Sequence, residues 1–541
     1  MKKTIMILIA SVLLLSSCMD EFLDVQPVSD LSTEKFWKTD DDVRSALNSA
    51  YGYIQTTYNY GFSSWYEGRS DNWAPLSSTN TLGTTFNVLT NQMGPSNWTG
   101  WYSIINVANY SMHYIPSTPV SDEIKRRHFI AEAYFLRAFA YFNIARIWGD
   151  APLVIKPTLT VNDIEYPFKS SQAIILDQVR MDIDSAFAKA DIDGTLSGSR
   201  AVDRAKFSVA ALYALATDYY MWMHEYQKAL DYSKPLNFFM NNTTMALNAT
   251  ADYPKLFTPT DAISQTENIW LLKWDYINQN NTINNAVWSF MIPTSPSYTF
   301  SSWFYSGSSY KAEFLPSLNK KLNNGWMFDV YYKGDKRKAY TLDTVAGGSS
   351  QATQYVIASA VSKTIWKYNG GIKATSADQA KNYPVILYRY ADILLLRAEA
   401  YNRLGDLTNS LAELKKVRDR AGLLATNVKI NEYYPGAGIN QTRAVTDYTA
   451  DGPNGMSNQL ELDILKERSI ELLGEGKRWF DLMRTGRAMD IMNDYYDFAL
   501  TITSTVKLNK YTDEKQLYWP VFYRNVNTNP NLDSTLVITN P

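Results

Sequence analysis

The 541-residue chain has a single cysteine, Cys18, and three histidines, His113, His128 and His224. One cysteine cannot close an internal disulfide, so no covalent staple holds this fold. The histidines are scattered. There is no His-Glu-x-x-His, no paired-cysteine zinc pattern, no Gly-x-Ser-x-Gly and no phosphate loop. Asp191-Ile-Asp-Gly194 lacks the spacing and terminal glutamate of a calcium loop and reads as a turn. No catalytic residue, metal ligand or cofactor is therefore expected. An excess of charge is missing too: 52 Lys+Arg against 54 Asp+Glu leave a net charge of -2. That gives no overall basic field for nucleic acid. Nor is there a membrane span: the apolar run Ile5–Leu15 is about half of the roughly 20 residues a spanning helix needs.

That short run has another use. Lys2 and Lys3 precede it, and Ser16, Ser17 and Cys18 follow, which is the layout of a secretory signal. Leu14-Leu-Ser-Ser-Cys18 resembles the lipobox of bacterial lipoproteins, in which the cysteine becomes the first residue and carries the lipids. The resemblance implies a signal peptide over 1–17, a lipid anchor on Cys18 and an acidic tether over 18–32. A single acyl chain holds a protein on a membrane only marginally, so durable anchoring implies at least two. The acidic start, Met19 to Pro27, fits either a solvated linker or a surface-display signal.

Aromatic residues are plentiful, with 38 Tyr, 22 Phe and 15 Trp, and many stand in polar company. A ring in a polar loop offers an apolar face and often a hydrogen-bonding edge, which suits stacking on sugars. Helical periods predict helices at about 33–60 (capped by Ser32 or Thr33, with Asp40, Asp41 and Asp42 in a turn), 98–114, 121–148, 171–190, 203–223 and 226–239. Residues 61–100 read as an irregular, aromatic-bearing loop region. Between 241 and 370 strand-like runs such as Ile269–Trp274 mix with Ser/Thr/Gly/Asn-rich loops and six tryptophans. Helices resume at about 384–404, 409–421 and 459–473. One domain is expected over 33–541, with a loop-rich insertion at about 241–380 between N-terminal (33–240) and C-terminal (381–541) helical parts.

Leu136-Arg-Ala-Phe-Ala-Tyr141 recurs as Leu396-Arg-Ala-Glu-Ala-Tyr401, and Ala214–Tyr220 leading to His224–Leu230 makes a third copy. Small residues where helices touch and Gly at the turn resemble a tetratricopeptide repeat, with His224 standing where Gly usually does. Glu467, Glu471 and Glu475 invite comparison with a glycosidase pair. They would project from one helix face rather than across a cleft, so an ion network with Arg468 and Arg478 in reach is the expected role.

Tyr390–Tyr401, Val417-Arg-Asp-Arg-Ala-Gly422 and Glu467–Arg484 are similar to the SusD/RagB family, as are Ala131–Arg137, Trp148–Leu153, Tyr518-Trp-Pro520 and Asn529–Leu532. The long loop Leu424–Asn458 and the close Val537–Pro541 depart from its pattern. The resemblance implies a mainly α fold, in which tetratricopeptide-like helix pairs support a loop-rich ligand-binding half with few short strands. It also implies a lipoprotein lid on a TonB-dependent outer-membrane transporter, facing the cell exterior, that binds a glycan without cleaving it. A peptide- or glycoprotein-capturing relative and a structural adaptor remain alternatives. The family motifs are scaffold and carry over no site residues. From chemistry, the candidate ligand contacts are Trp65, Tyr66, Arg69, Asp71, Asn72 and Trp73 in one stretch and Tyr298, Trp303, Tyr305 and Tyr310 in another. The alternative is that these rings plug the scaffold.

Overall fold

A computed structural model describes residues 36–75, 83–190, 203–237, 245–258, 261–274, 298–300, 335–337, 383–423, 445–502, 508–533 and 537–538. Cys18, Asp191–Gly194, Trp303, Tyr305 and Tyr310 lie outside them.

Helix α1 (Asp40–Gly61) starts later than its sequence period suggests, because Thr39 is its cap. The Thr39 hydroxyl accepts the Asp42 N–H at 3.2 Å, and the Asp42 carboxylate accepts the Thr39 N–H at 2.8 Å. Asp40, Asp41 and Asp42 thus form the first helical turn rather than a loop, where unpaired N–H groups favour negative charge. The irregular region expected from residue 61 is also corrected at its start. The helix passes into a π-helical turn, Phe62–Glu67, before strand β1 (Trp73–Pro75).

Helix α2 (Thr99–Tyr114) buries Trp101, Ile104, Ile105 and Ala108, the stripe its period predicts. Helix α3 (Glu123–Trp148), capped by Asp122, is buried continuously from Phe135 to Trp148. It ends at Gly149, whose φ of +74° suits a residue without Cβ. Short strands β2 (Ala151–Pro152) and β3 (Lys169–Ser170) follow, then α4 (Gln172–Lys189), which packs along α3. Next come α5 (Val209–Trp222), α6 (Tyr226–Ser233), β4 (Asn268–Leu272) and β5 (Tyr298–Phe300). The helix expected over 384–404 is two elements: β6 (Val385–Arg389) and α7 (Tyr390–Arg403). Val-Ile-Leu-Tyr-Arg is fully buried and pairs antiparallel with β4, so apolar β-formers override a helix-compatible pattern. Then follow α8 (Leu407–Arg420), α9 (Asn458–Glu471), α10 (Arg478–Arg484), α11 (Ala488–Ile502), α12 (Tyr523–Thr528) and β7 (Val537–Ile538). Helices α10 to α12 were not anticipated from the sequence. Strand β7 pairs in parallel with β3, returning the chain end to its N-terminal half.

Two of the three sequence copies, Ala214–Leu230 and Leu396–Tyr401, lead into the same helix-pair turn, which recurs between α10 and α11, whereas Leu136–Tyr141 lies inside α3 and leads into strand β2. At the α5–α6 turn, Glu225 N–H donates to Tyr220 O and His224 N–H to Met221 O, at 2.9 and 3.1 Å. Asp406 to Tyr401 and Gly405 to Asn402 repeat this between α7 and α8, and Arg487 to Leu482 and Gly486 to Met483 repeat it between α10 and α11. Each turn places one residue at positive φ: His224 at +57°, Gly405 at +79° and Gly486 at +73°. These bonds close off the last carbonyls of one helix and reverse the chain into its partner.

Candidate ligand-binding site

Trp65 sits on the π-helical turn with its ring against Trp148, centroids 5.3 Å apart. Its Nε1–H donates to the Pro95 carbonyl at 2.7 Å. A Cβ on Gly61 would come within 1.9 Å of this ring, so glycine there makes room for it. Tyr66 stacks on Tyr58 at 5.1 Å and donates its hydroxyl to Asn143 Oδ1 at 3.0 Å. It borders a small internal cavity of about 30 Å³ between Arg146, Asp218 and Tyr388, with room for about a water. Arg69 donates to the carbonyls of Leu517 and Gln516 at 2.7 and 3.0 Å, and its guanidinium lies 4.2 Å from the Trp479 ring centroid. Asp71 accepts both Nε and Nη2 of Arg478 at 2.8 and 2.9 Å. Asn72 Oδ1 accepts the Ser469 hydroxyl at 2.9 Å.

All five of these side chains are buried, with exposures of 3 % or less, and none is presented to solvent. Tyr66, Arg69, Asp71 and Asn72 join the N-terminal helices to segments some 400 residues later, whereas Trp65 packs among its N-terminal neighbours. This burial fits the alternative reading, in which the cluster of rings and planar hydrogen-bonders plugs the scaffold. Trp98 and Trp101 likewise pack inward, at 5 % and 0 % exposure.

The remaining nominated residues fall differently. Strand β1 pairs antiparallel with β5: Trp73 is opposite Phe300, Ala74 opposite Thr299 and Pro75 opposite Tyr298. Trp73, at the end of the first stretch, and Tyr298, at the start of the second, more than 200 residues apart, therefore lie along one ladder. Trp303, Tyr305 and Tyr310 follow directly in sequence. A separate open cleft of about 670 Å³ is lined by Lys169, Gln172, Lys515 and Tyr518, and no described residue of either stretch borders it.

The acidic residues of α9 and the turn after it are held by a buried ion network. Glu467 accepts Arg337 at 2.6 Å and Arg418 at 3.0 Å. Glu471 accepts Arg337 at 2.7 Å, Arg389 at 2.5 Å and Arg420. Glu475 pairs with Arg389 at 2.8 Å, and Glu267 with Arg389 and Arg420 at 2.8 and 3.1 Å. The network is as expected, but its arginines are not. Arg468 instead pairs with Asp392 and Asp481, and Arg478 with Asp71. Sequence reasoning missed Arg337, Arg389, Arg418 and Arg420; an arginine closing the apolar run Val385–Tyr388 was the available signal. Burial raises the pKa of Glu467, but the adjacent Arg337 and Arg418 outweigh it and hold the carboxyl below its usual range. For Asp335 burial wins over Arg337, and the carboxyl is raised. Carboxylates so engaged are structural ties, not an acid and base facing each other across a cleft. Among the described residues no group of three or more His, Cys, Asp or Glu could hold a metal, and no helix is long and apolar enough to cross a membrane.

Comparison with known proteins agrees with this architecture. Residues 215–536 match the family model described as "SusD family", and residues 21–221 match one described as "Starch-binding associating with outer membrane". SusD-like protein P38 of Formosa agariphila is 28 % identical over 561 residues, covering 98 % of each chain. Among solved structures, a SusD superfamily protein from Bacteroides vulgatus superposes with a TM-score of 0.65 at 19 % identity, over 92 % of this chain and 98 % of that one. A laminarin-binding SusD-like protein does so with a TM-score of 0.63 at 19 % identity, over 93 % and 100 %.

Proposed function

The chain belongs to the SusD family, and from that premise we propose that it captures a glycan at the outer-membrane surface and delivers it, uncleaved, to a TonB-dependent transporter. The observation that carries this reading is the β1–β5 pairing, which sets Trp73–Pro75 beside Tyr298–Phe300, where the second aromatic stretch begins, next to a rigid helical scaffold. The family-model description and the laminarin-binding neighbour support a glycan as the ligand class. Contact with the ligand falls to the stretch beginning at β5, with Trp303, Tyr305 and Tyr310 stacking on sugar faces and Tyr298 and Trp73 beside them. Cys18 carries the acyl chains that keep the protein at the membrane.

Affinity gels cast with laminarin, starch and other polysaccharides test this on the chain lacking the anchor. Retardation by at least one glycan, without shortening of it, is the expected result. Trp303→Ala should then weaken binding by about tenfold or more, the scale of losing a central aromatic anchor, with little change in melting temperature. Binding of peptides alone, or release of sugar products, would overturn the reading.

A further inference from the structure

The connection between β2 and β3 is long and carries the wrong side chains for a surface loop. Of the large apolar residues exposed among those described, five fall within twelve residues of it: Ile155 (45 %), Leu159 (43 %), Val161 (82 %), Ile164 (49 %) and Tyr166 (53 %). Single exposed apolar residues are ordinary, but a contiguous set of this kind marks a surface that meets something.

The loop is not loosely held. Asn109 donates to the Val154 and Lys156 carbonyls at 3.1 and 3.3 Å, and Arg137 to that of Ile155 at 3.2 Å. At its other end, Asn529 and Asn531 donate to the carbonyls of Pro167 and Tyr166 at 2.8 and 2.6 Å. At the tip, Val161–Asp163 form a 3-10 turn, closed by a capping box between Thr160 and Asp163. Both stems are thus fixed to the scaffold, and the apolar side chains between them point outward for want of any core to enter.

The position of the loop indicates its partner. Tyr110 on α2 donates its hydroxyl to the Thr158 carbonyl. Tyr110 stacks on Tyr114 (6.2 Å, 12°), and Tyr114 on Trp37 (5.3 Å, 16°). Trp37 stands 19 residues after Cys18, and two ring contacts link it to the Tyr110 that holds this loop. The connection from Cys18 spans at most roughly 65 Å when fully extended. Stacked Trp and Tyr rings beside an aliphatic tip, with Tyr166 at its end, are the residue types favoured at a membrane–water interface. The charges on the loop are Lys156, Asp163 and Glu165, which give no attraction to an anionic surface.

We infer that the loop 155–166 is a membrane-contacting element, which dips Leu159, Val161 and Ile164 into the interfacial layer of the bilayer to which the protein is tethered. It gives the tethered protein a preferred face toward the bilayer. The inference rests on the membrane-bound reading above, and its test separates the two.

The chain from residue 18 onward, carrying Cys18→Ala and an N-terminal hexahistidine tag, is held on phosphatidylcholine vesicles by nickel-chelating lipids, so acylation plays no part. Val161→Cys then supplies the only thiol for an environment-sensitive fluorophore, and Lys228→Cys on α6 is the control position. The label at 161 should shift to the blue on vesicles and be quenched by nitroxide-labelled lipids, while the label at 228 does neither. Adding Leu159→Asp and Ile164→Asp should abolish the shift. A label at 161 that stays aqueous, or behaves as at 228, overturns the inference. Lipidation is read separately, from whether Cys18→Ala in the native gene releases the protein from the membrane fraction of cells.

Discussion

Glu471→Gln is the most informative single perturbation of this scaffold. The carboxylate is fully buried and accepts from Arg337 at 2.7 Å, Arg389 at 2.5 Å and Arg420. Glutamine keeps the shape but removes the charge, and its amide N–H groups would face guanidinium donors. The arginines keep their other carboxylates: Arg337 retains Asp335 and Glu467, and Arg389 retains Glu267 and Glu475. The loss is therefore that of one partner in a buried network, about 3–5 kcal/mol, rather than a separate sum for each contact. A chain of this size unfolds with a urea slope of roughly 3 kcal/mol/M or more, so the midpoint should fall by about 1 M. Tryptophan fluorescence in a urea series reads it directly. The exposed pair Arg180–Asp177 (37 % and 54 % side-chain exposure) is the internal control, and Arg180→Ala should cost less than about 1 kcal/mol. If Glu471→Gln costs no more than that control, the network is solvated in practice and does not tie α9 to β6 and α8.

Four further outcomes follow from charge and backbone geometry. Burial raises the pKa of Asp392, but Lys477 and Arg468 outweigh it and leave the carboxyl well below the ordinary range. Its stabilisation should thus be complete above about pH 4 and decline as pH falls further; Asp392→Asn should remove this part of the acid dependence, read from urea midpoints between pH 2 and 6. Lys466 is buried and its pKa is lowered to about 8, so the folded state sheds this proton before the unfolded chain does. Stability should then rise between about pH 8 and 10, by up to about 3 kcal/mol, and a Lys466→Met variant that shows the same rise would refute the assignment. Gly405 has φ +79°, and a Cβ there would lie 2.5 Å from the Asn454 carbonyl oxygen, so Gly405→Ala should cost roughly 1–3 kcal/mol. His224→Gly, at the equivalent turn, relieves a left-handed residue but loses the 2.9 Å contact between its Nε2 and Arg484 O, and should fall within about 1 kcal/mol of neutral in thermal or urea unfolding.

What the sequence disclosed, and what it hid, divides along a physical line. Elements governed by neighbours in the chain were legible: the buried stripe of α2, the extent of α3, and the turn at His224, which stands where the repeat usually has glycine and adopts positive φ. Elements decided by distant partners were not. Val385–Arg389 carries β-forming side chains, but its run is equally compatible with the helix that follows, and the pairing with Asn268–Leu272 decides it as a strand. The same holds for side chains. Trp65, Tyr66, Arg69, Asp71 and Asn72 have the composition of a sugar site, with rings for stacking and planar groups for hydrogen bonding. A scaffold joint needs those groups too, because burying an arginine or an aspartate demands complete pairing. Arg69 meets the Leu517 carbonyl and Asp71 meets Arg478 only after the chain has closed on itself. Composition therefore identifies what a cluster can bond to, whereas burial decides whether those bonds are spent inside the protein. On that ground the proposed glycan contacts move off the 65–72 cluster and onto the stretch that begins at the β1–β5 ladder.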